Sequence, residues 1–211
     1  MSRPRLLIAD DHRLLVEGYR KLLETEFDVV GEVEDGRALL ELAPQLQPDV
    51  ILLDVSMPLL NGIEAARRLK PLLPDTKLLF VSMHADSQYV AEAFRAGGSG
   101  YLLKSCASSE LVSAIHQVLQ GRQYVTPAIS TGELAQTAEV RPGAILPQLS
   151  PRQREVLQLV TEGQTAKEIA GRLRISVKTV EFHKTRIMRA LRVRSVAELT
   201  RYAVTRGLVS P

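Results

Sequence analysis

Short apolar runs alternate with amphipathic stretches five times between residues 5 and 120, and this alternation limits the fold more than any other feature of the chain. The runs are Leu6–Ala9, Val29–Glu32, Val50–Asp54, Leu78–Ser82 and Gly100–Leu103. Helical spacing fills the intervals: Leu15, Tyr19, Leu22 and Leu23 share one face, as do Leu111, Ile115, Val118 and Leu119. Asn61 with Glu64 has the form of a helix N-cap supported by an acid at the third helical position. A strand that is apolar throughout must be covered on both faces, and helices between strands supply the cover. The pattern predicts an α/β domain built on a five-stranded, doubly wound parallel sheet.

In such a sheet the ligand crevice lies beyond the carboxyl ends of the strands, where the winding reverses. Those ends carry Asp10 and Asp11 after the first strand, Asp54 on the third, Ser82 on the fourth and Lys104 after the fifth. Three crowded carboxylates repel one another unless a cation offsets them, and oxygen ligands with room for water suit Mg²⁺. With the charge offset, Asp54 is a carboxylate nucleophile for phosphorus, with Lys104 opposing charge on the transferring oxygens. Ser82 is placed to donate a hydrogen bond to the resulting acyl phosphate. His12, His84, His116 and His183 show no metal-ligand spacing, and a neutral loop role is the reading for His12 and His84.

Charge divides the chain. Residues 1–124 hold 13 Lys/Arg against 17 Asp/Glu, whereas residues 148–211 hold 13 against 5. An acidic first domain joined to a basic second one suggests that only the second meets a polyanion, although a solvated basic surface has the same composition. No apolar run is long enough to span a bilayer, and the N-terminus lacks a signal-like cleavage site. The single cysteine, Cys106, fits a reducing compartment, so a cytoplasmic location is expected, with no membrane partner.

From Gly121 to Gln148 periodicity fades and turn-forming residues dominate. The expected organisation is a first domain over residues 1–121, a linker over 122–148 with a short helix at Thr131–Val140, and a second domain over 149–211. Capping signals at Ser150, Thr165, Ser176 and Ser195, with Gly163 and Gly207 at helix ends, predict four helices near 151–162, 166–173, 177–191 and 196–206. A tight turn between the second and third makes a helix-turn-helix. On the third helix Val177, Val180, Ile187 and Leu191 form an apolar face, while Lys178, Phe182, Thr185 and Arg189 point away, flanked by Glu181 and Arg186. Such a face suits the major groove of double-stranded DNA: Lys178, Arg186 and Arg189 for phosphates, Glu181 for cytosine N4, Phe182 for a thymine methyl.

The segments Ile8–His12, Leu53–Gly62, Val81–His84 and Gly100–Lys104 together resemble the receiver domain of bacterial response regulators, a flavodoxin-like fold. Leu149–Leu157, Lys167–Ala170 and Ile175–Val180 resemble the LuxR-type DNA-binding domain, so the whole chain is similar to NarL/FixJ-type response regulators. The resemblance implies that Asp54 is the phosphoacceptor, that Asp11, Asp54 and the Ser56 carbonyl bind Mg²⁺ directly, and that Asp10 acts through water. It implies a switch pair, Ser82 and Tyr101, whose ring turns inward when Ser82 engages the phosphate. Thr179, Glu181, Phe182 and Thr185 become DNA-facing, and a homodimer on paired half-sites is expected, formed through the last helix with Val196, Leu199, Tyr202 and Ala203.

Departures from the pattern are Ser105 in place of a proline after Lys104, Ala166 in place of an asparagine, and Met83, whose bulk is expected to narrow access to the site.

The expected function is a two-component response regulator, not an enzyme. A partner histidine kinase phosphorylates it, because no kinase segment is present. Phosphorylation then unmasks the DNA-binding helices or favours dimerisation. One alternative is a phosphorylation-independent DNA-binding regulator whose receiver serves as an interaction surface. The other is an Asp-nucleophile phosphatase, which Ser56 disfavours because it stands where that chemistry places a second acid.

Overall fold

A computed structural model describes residues 3–106, 108–130 and 149–205. In the first module the order is β1 (Arg5–Ala9), α1 (Arg13–Leu23), β2 (Asp28–Val33), α2 (Gly36–Leu46), β3 (Val50–Asp54), α3 (Gly62–Leu69), β4 (Lys77–Ser82), α4 (Ser87–Arg95), β5 (Gly100–Leu103), α5 (Ser108–Leu119), β6 (Tyr124–Val125) and α6 (Pro127–Ser130). The strands form one parallel sheet in the order β2-β1-β3-β4-β5-β6.

Alternation along each strand sorts the core into two layers. Leu7, Ile51, Leu53, Leu78 and Phe80 face a layer shared with Leu39 and Ala43 of α2, Ala66 and Leu69 of α3, and Val90 and Ala93 of α4. Leu6, Ile8, Val50, Leu52, Leu79 and Val81 face the opposite layer with Val16 and Leu23 of α1 and Leu111, Ile115 and Val118 of α5. Every residue of β3 is buried, as its unbroken apolar run requires.

The sheet gains a sixth strand beyond the five expected. Tyr124 and Val125 pair with Gly100 and Tyr101, inside the stretch read as linker from residue 122. The Thr126 amide donates to the Tyr101 carbonyl at 3.0 Å and its hydroxyl accepts from the Leu103 amide at 3.1 Å. Two residues carry no periodicity, so only pairing with β5 creates this strand. The expected helix at Thr131–Val140 and the cap at Gly207 lie outside the described residues.

The second module holds α7 (Pro151–Thr161), α8 (Ala166–Leu173), α9 (Val177–Leu191) and α10 (Val196–Thr205). The caps act as the spacing predicts. Ser150 with Gln153 and Thr165 with Glu168 form reciprocal capping boxes, Ser176 accepts from the Thr179 amide, and Gly163 follows α7 with φ +82°. Ser195 accepts from the Glu198 amide, but the Glu198 carboxylate returns to the Arg194 amide, one residue before the expected position. Val156, Leu159, Ile169, Leu173, Val180, Ile187 and Leu199 close a separate core.

The two modules meet on α7. Gln158, only 2% exposed, donates from Nε2 to the Met57 carbonyl at 2.8 Å and accepts at Oε1 from the Asn61 amide at 2.9 Å. Glu162 accepts from the Leu59 amide at 2.9 Å, and the Leu59 side chain packs onto the core of the second module. Buried Glu64 pairs with Arg154 at 2.6 Å, and buried Glu155 pairs with Arg68 and lies 3.9 Å from Arg37. Asn61 caps α3 as expected, but the Glu64 carboxylate is committed to Arg154.

Candidate functional site

The parallel topology sends β1 and β3 to opposite sides of the winding reversal, and both end in acids at the same edge. Lys104, just past β5, places its ammonium between them, 2.8 Å from Asp10 Oδ2 and 2.9 Å from Asp54 Oδ2. All three side chains are almost wholly enclosed. Burial pushes the Asp54 carboxyl above its ordinary range, against the Lys104 ammonium, and the Asp10 charge adds to the rise. Burial opposes charge on Lys104, yet Asp54 and Asp10 outweigh it and raise that group.

The ligand atoms of Asp10, Asp11, His12 and Asp54 all lie within 4.8 Å of one another. Asp10 Oδ2 and Asp11 Oδ1 are buried and make no hydrogen bond of good geometry. Their close neighbours, Lys104 and His12 Nδ1, sit at ion-pair distance only. Carboxylate oxygens left in this state fit a hard cation. His12, read as a neutral loop residue, is drawn into the cluster: its amide donates to Asp10 Oδ1 at 2.9 Å and its Nδ1 lies 3.0 Å from Asp11 Oδ1. Its position directly after the acid pair was the available signal.

The segment after β3 is held tightly against the site. The Ser56 amide donates to Asp54 Oδ1 at 3.3 Å, and the Gly62 amide returns to the Val55 carbonyl at 2.9 Å. A Cβ on Gly62 would stand 2.0 Å from the Asp54 carbonyl oxygen, so this approach requires glycine.

Across the crevice, Ser82 is buried and its hydroxyl accepts from the His84 amide at 3.1 Å. Tyr101 is fully buried in the inward position, donating to the His84 carbonyl at 2.8 Å, and burial raises its phenol. Met83, expected to narrow the site, is 72% exposed. His84 faces the site instead, its Nε2 3.4 Å from Ser56 Oγ and its ring stacked on Tyr89 with centroids 4.5 Å apart. Alternation past the end of β4 sends Met83 outward and His84 in.

On α9, Val180 and Ile187 are buried and Leu191 packs at the edge of the core, but Val177 is 46% exposed and leaves the apolar face. Lys178, Glu181, Phe182, Thr185, Arg186 and Arg189 line one shallow surface groove. The Arg186 guanidinium lies 5.0 Å from the Phe182 ring centroid, which fixes both side chains outward. Thr179 turns its hydroxyl to Ser176 Oγ at 2.8 Å. Among the described residues these groove side chains are exposed while α7 is docked. On α10, Leu199 and Ala203 are buried within their own module, while Val196 is exposed.

Comparisons with known proteins agree with this geometry. Residues 6–116 match the response regulator receiver domain, and residues 147–203 match the bacterial regulatory proteins of the luxR family. The chain is 36% identical to the oxygen regulatory protein NreC of Staphylococcus carnosus, covering 97% of this chain and 99% of that one. It is 35% identical to the transcriptional regulatory protein DegU of Brevibacillus brevis, covering 99% and 96%. Among solved structures it is similar to the RcsB response regulator of Salmonella typhimurium, with 30% identity, TM-score 0.68, and 97% and 98% of the two chains covered. An RcsB–DNA complex matches at 30% identity and TM-score 0.61, covering 97% and 99%. The receiver assignment spans more than half of the chain and the full-length relatives are transcription regulators. The chain therefore belongs to the bacterial response regulators that join a receiver domain to a luxR-family DNA-binding domain, a family of transcription regulators rather than enzymes.

Proposed function

We propose that Asp54 accepts a phosphoryl group from a partner histidine kinase in the cytoplasm and that this controls binding of α9 to double-stranded DNA, with the protein acting as a homodimer. The observation that carries the reading is the buried Lys104 ammonium set between Asp10 and Asp54 beside Asp11 at the topological switch point. An Asp54 carboxylate oxygen bonds to phosphorus as the bond from phosphorus to the donor imidazole nitrogen breaks, the electron pair remaining on nitrogen. Lys104 opposes charge on the transferring oxygens, and the Ser82 hydroxyl, which accepts from the His84 amide, would turn to donate to the acyl phosphate. Asp11, Asp54 and the Ser56 carbonyl would hold Mg²⁺, with Asp10 acting through water. The ion, when bound, supplies charge compensation for the transfer. Tyr101 completes the switch pair with Ser82.

On α9, Lys178, Arg186 and Arg189 would hold phosphates, and Thr179, Glu181, Phe182 and Thr185 would face the bases. A first module that runs on through β6 and α6, and a separate helical module from residue 149, support the reading. The pairing of two RcsB dimers with two parallel DNAs supports the dimer. Incubation with a small-molecule phosphodonor and Mg²⁺ is expected to label the protein, and Asp54→Asn to abolish the label. A fully labelled Asp54→Asn chain would refute the assignment.

A further inference from the structure

We propose that the junction of the two modules carries a binding site for a small phosphate-bearing anion, of the pyrophosphate or nucleotide-tail class, held by Arg37 and Arg68 of the receiver and Arg152 and Arg172 of the second module.

Buried Glu155, on α7, is the carboxylate on which these arginines converge. Its Oε1 is taken by Arg68, and its Oε2 accepts from Arg152 Nη1 at 3.1 Å. Arg152 is held further by a bond from Nη2 to the Leu173 carbonyl at 2.6 Å. Arg37, at the start of α2, is left outside this pairing. Its Nη2 stays 3.9 Å from Glu155 Oε2, and its Nε is enclosed with no hydrogen-bond partner among the described residues. Arg172, exposed on α8, stands close enough to repel it. Burial pushes the Arg37 guanidinium below its ordinary value, Glu155 opposes that, and Arg172, Arg68 and Arg152 push it further down.

Four guanidiniums against one carboxylate leave an excess of three positive charges. The adjoining network is closer to balance, with Glu64 and Glu92 meeting Arg154, Arg67 and Arg95. Asp35, two residues before Arg37, is committed to the amides of Arg37 and Ala38 and does not relieve the excess. A guanidinium fork matches phosphate oxygens two at a time, and a multivalent ligand answers several forks at once. The side chains of Arg37, Arg68 and Arg152 are 31%, 38% and 33% exposed, so an anion can reach them from solvent. None of the four arginines lines the α9 groove, which separates this site from the face read as DNA-binding. Each module supplies two of the four, so the anion binds the docked arrangement and not the separated modules. At about 100 times its Kd it would lower the undocked population about 100-fold.

Isothermal titration of pyrophosphate into the full chain, without Mg²⁺ and at about 0.15 M ionic strength, is expected to show one saturable site. Arg37→Gln is expected to weaken it at least about 10-fold, as loss of a bond to a charged group does. Arg37→Lys is expected to recover only part of that, since an ammonium lacks the fork. Should Arg37→Gln fail to fold, Arg172→Gln, at an exposed position, is expected to weaken binding in the same direction. The Leu59 and Asn61 amides donate to α7, so their hydrogen exchange reports docking. Pyrophosphate is expected to slow exchange at both in the parent and, at the same concentration, not in Arg37→Gln. Tighter binding of adenosine triphosphate than of pyrophosphate would assign the site to a nucleotide, and equal or weaker binding to an inorganic ligand. Absence of binding overturns the proposal. So does binding that Arg37→Gln leaves intact and Arg189→Ala removes, which would place the anion on α9. Binding with unchanged exchange would confine the anion to one module and overturn the shared site.

Discussion

Replacing Gly62 with alanine tests how rigidly the segment after β3 is tied to the site. The added Cβ would stand 2.0 Å from the Asp54 carbonyl oxygen, 3.0 Å from its carbon and 3.2 Å from Leu53 Cγ. The oxygen cannot yield as a side-chain tip would, because Asp54 closes a strand paired with β1 on one side and β4 on the other. Relief must come from lifting the N-terminus of α3. Overpacking of this kind costs about 1–3 kcal/mol, and alanine returns up to about 1 kcal/mol of helix propensity. The net expectation is a loss of about 1–2 kcal/mol. Gly18 is the internal control: it is exposed within α1, nothing lies within 4 Å of a Cβ there, and Gly18→Ala is expected to stabilise by about 0.4–1 kcal/mol. Urea denaturation of the two variants, followed on the transition of the first module, should give midpoints displaced in opposite directions. A Gly62→Ala chain at least as stable as the parent would show that the segment shifts freely, and the reasoning would fail.

Arg189→Ala is expected to weaken binding to double-stranded DNA of any sequence and to lower the slope of log affinity against log salt by about 1, as loss of one phosphate contact does; an unchanged slope would place Arg189 off the backbone. Burial first, then the Arg152 and Arg186 charges, lowers the His183 pKa. The stability this group lends is therefore present above its ordinary value of about 6.5 and is lost as pH falls below it. His183→Gln should flatten the pH dependence of the second module's urea midpoint between about pH 7.5 and 5.5, and an unaltered profile would exclude the group. Met83→Ala is expected to leave the lifetime of the acyl phosphate unchanged, since the side chain points to solvent; a changed half-life would contradict that placement.

Most strands were legible because their apolar runs are short and stop at Asp10, Asp54, Ser82 or Lys104, and the four C-terminal helices because each begins with a capping side chain. What escaped is non-local. β6 exists through its pairing with β5, and two residues of Tyr-Val carry no pattern of their own. Gln158 reads from sequence as a polar residue on an amphipathic helix, and docking on a distant loop buries it. Glu64 has the spacing of a capping acid, yet an arginine ninety residues away offers the stronger partner. The site acids were visible because parallel topology converts strand ends into spatial neighbours. The histidines around them were harder to judge, since His12 and His84 differ from ordinary loop residues only by which neighbours they meet.

Leu59 bears on how freely such modules can be recombined. Its backbone belongs to the receiver and its half-buried side chain packs against the hydrophobic core of the DNA-binding module. A graft that exchanges one module at the intervening linker would therefore leave a leucine without its pocket, or a pocket without its leucine. Residues 57–64 and α7 would have to travel together for a hybrid to keep this contact, so the unit that can be inherited intact cuts across the boundary between the two folds.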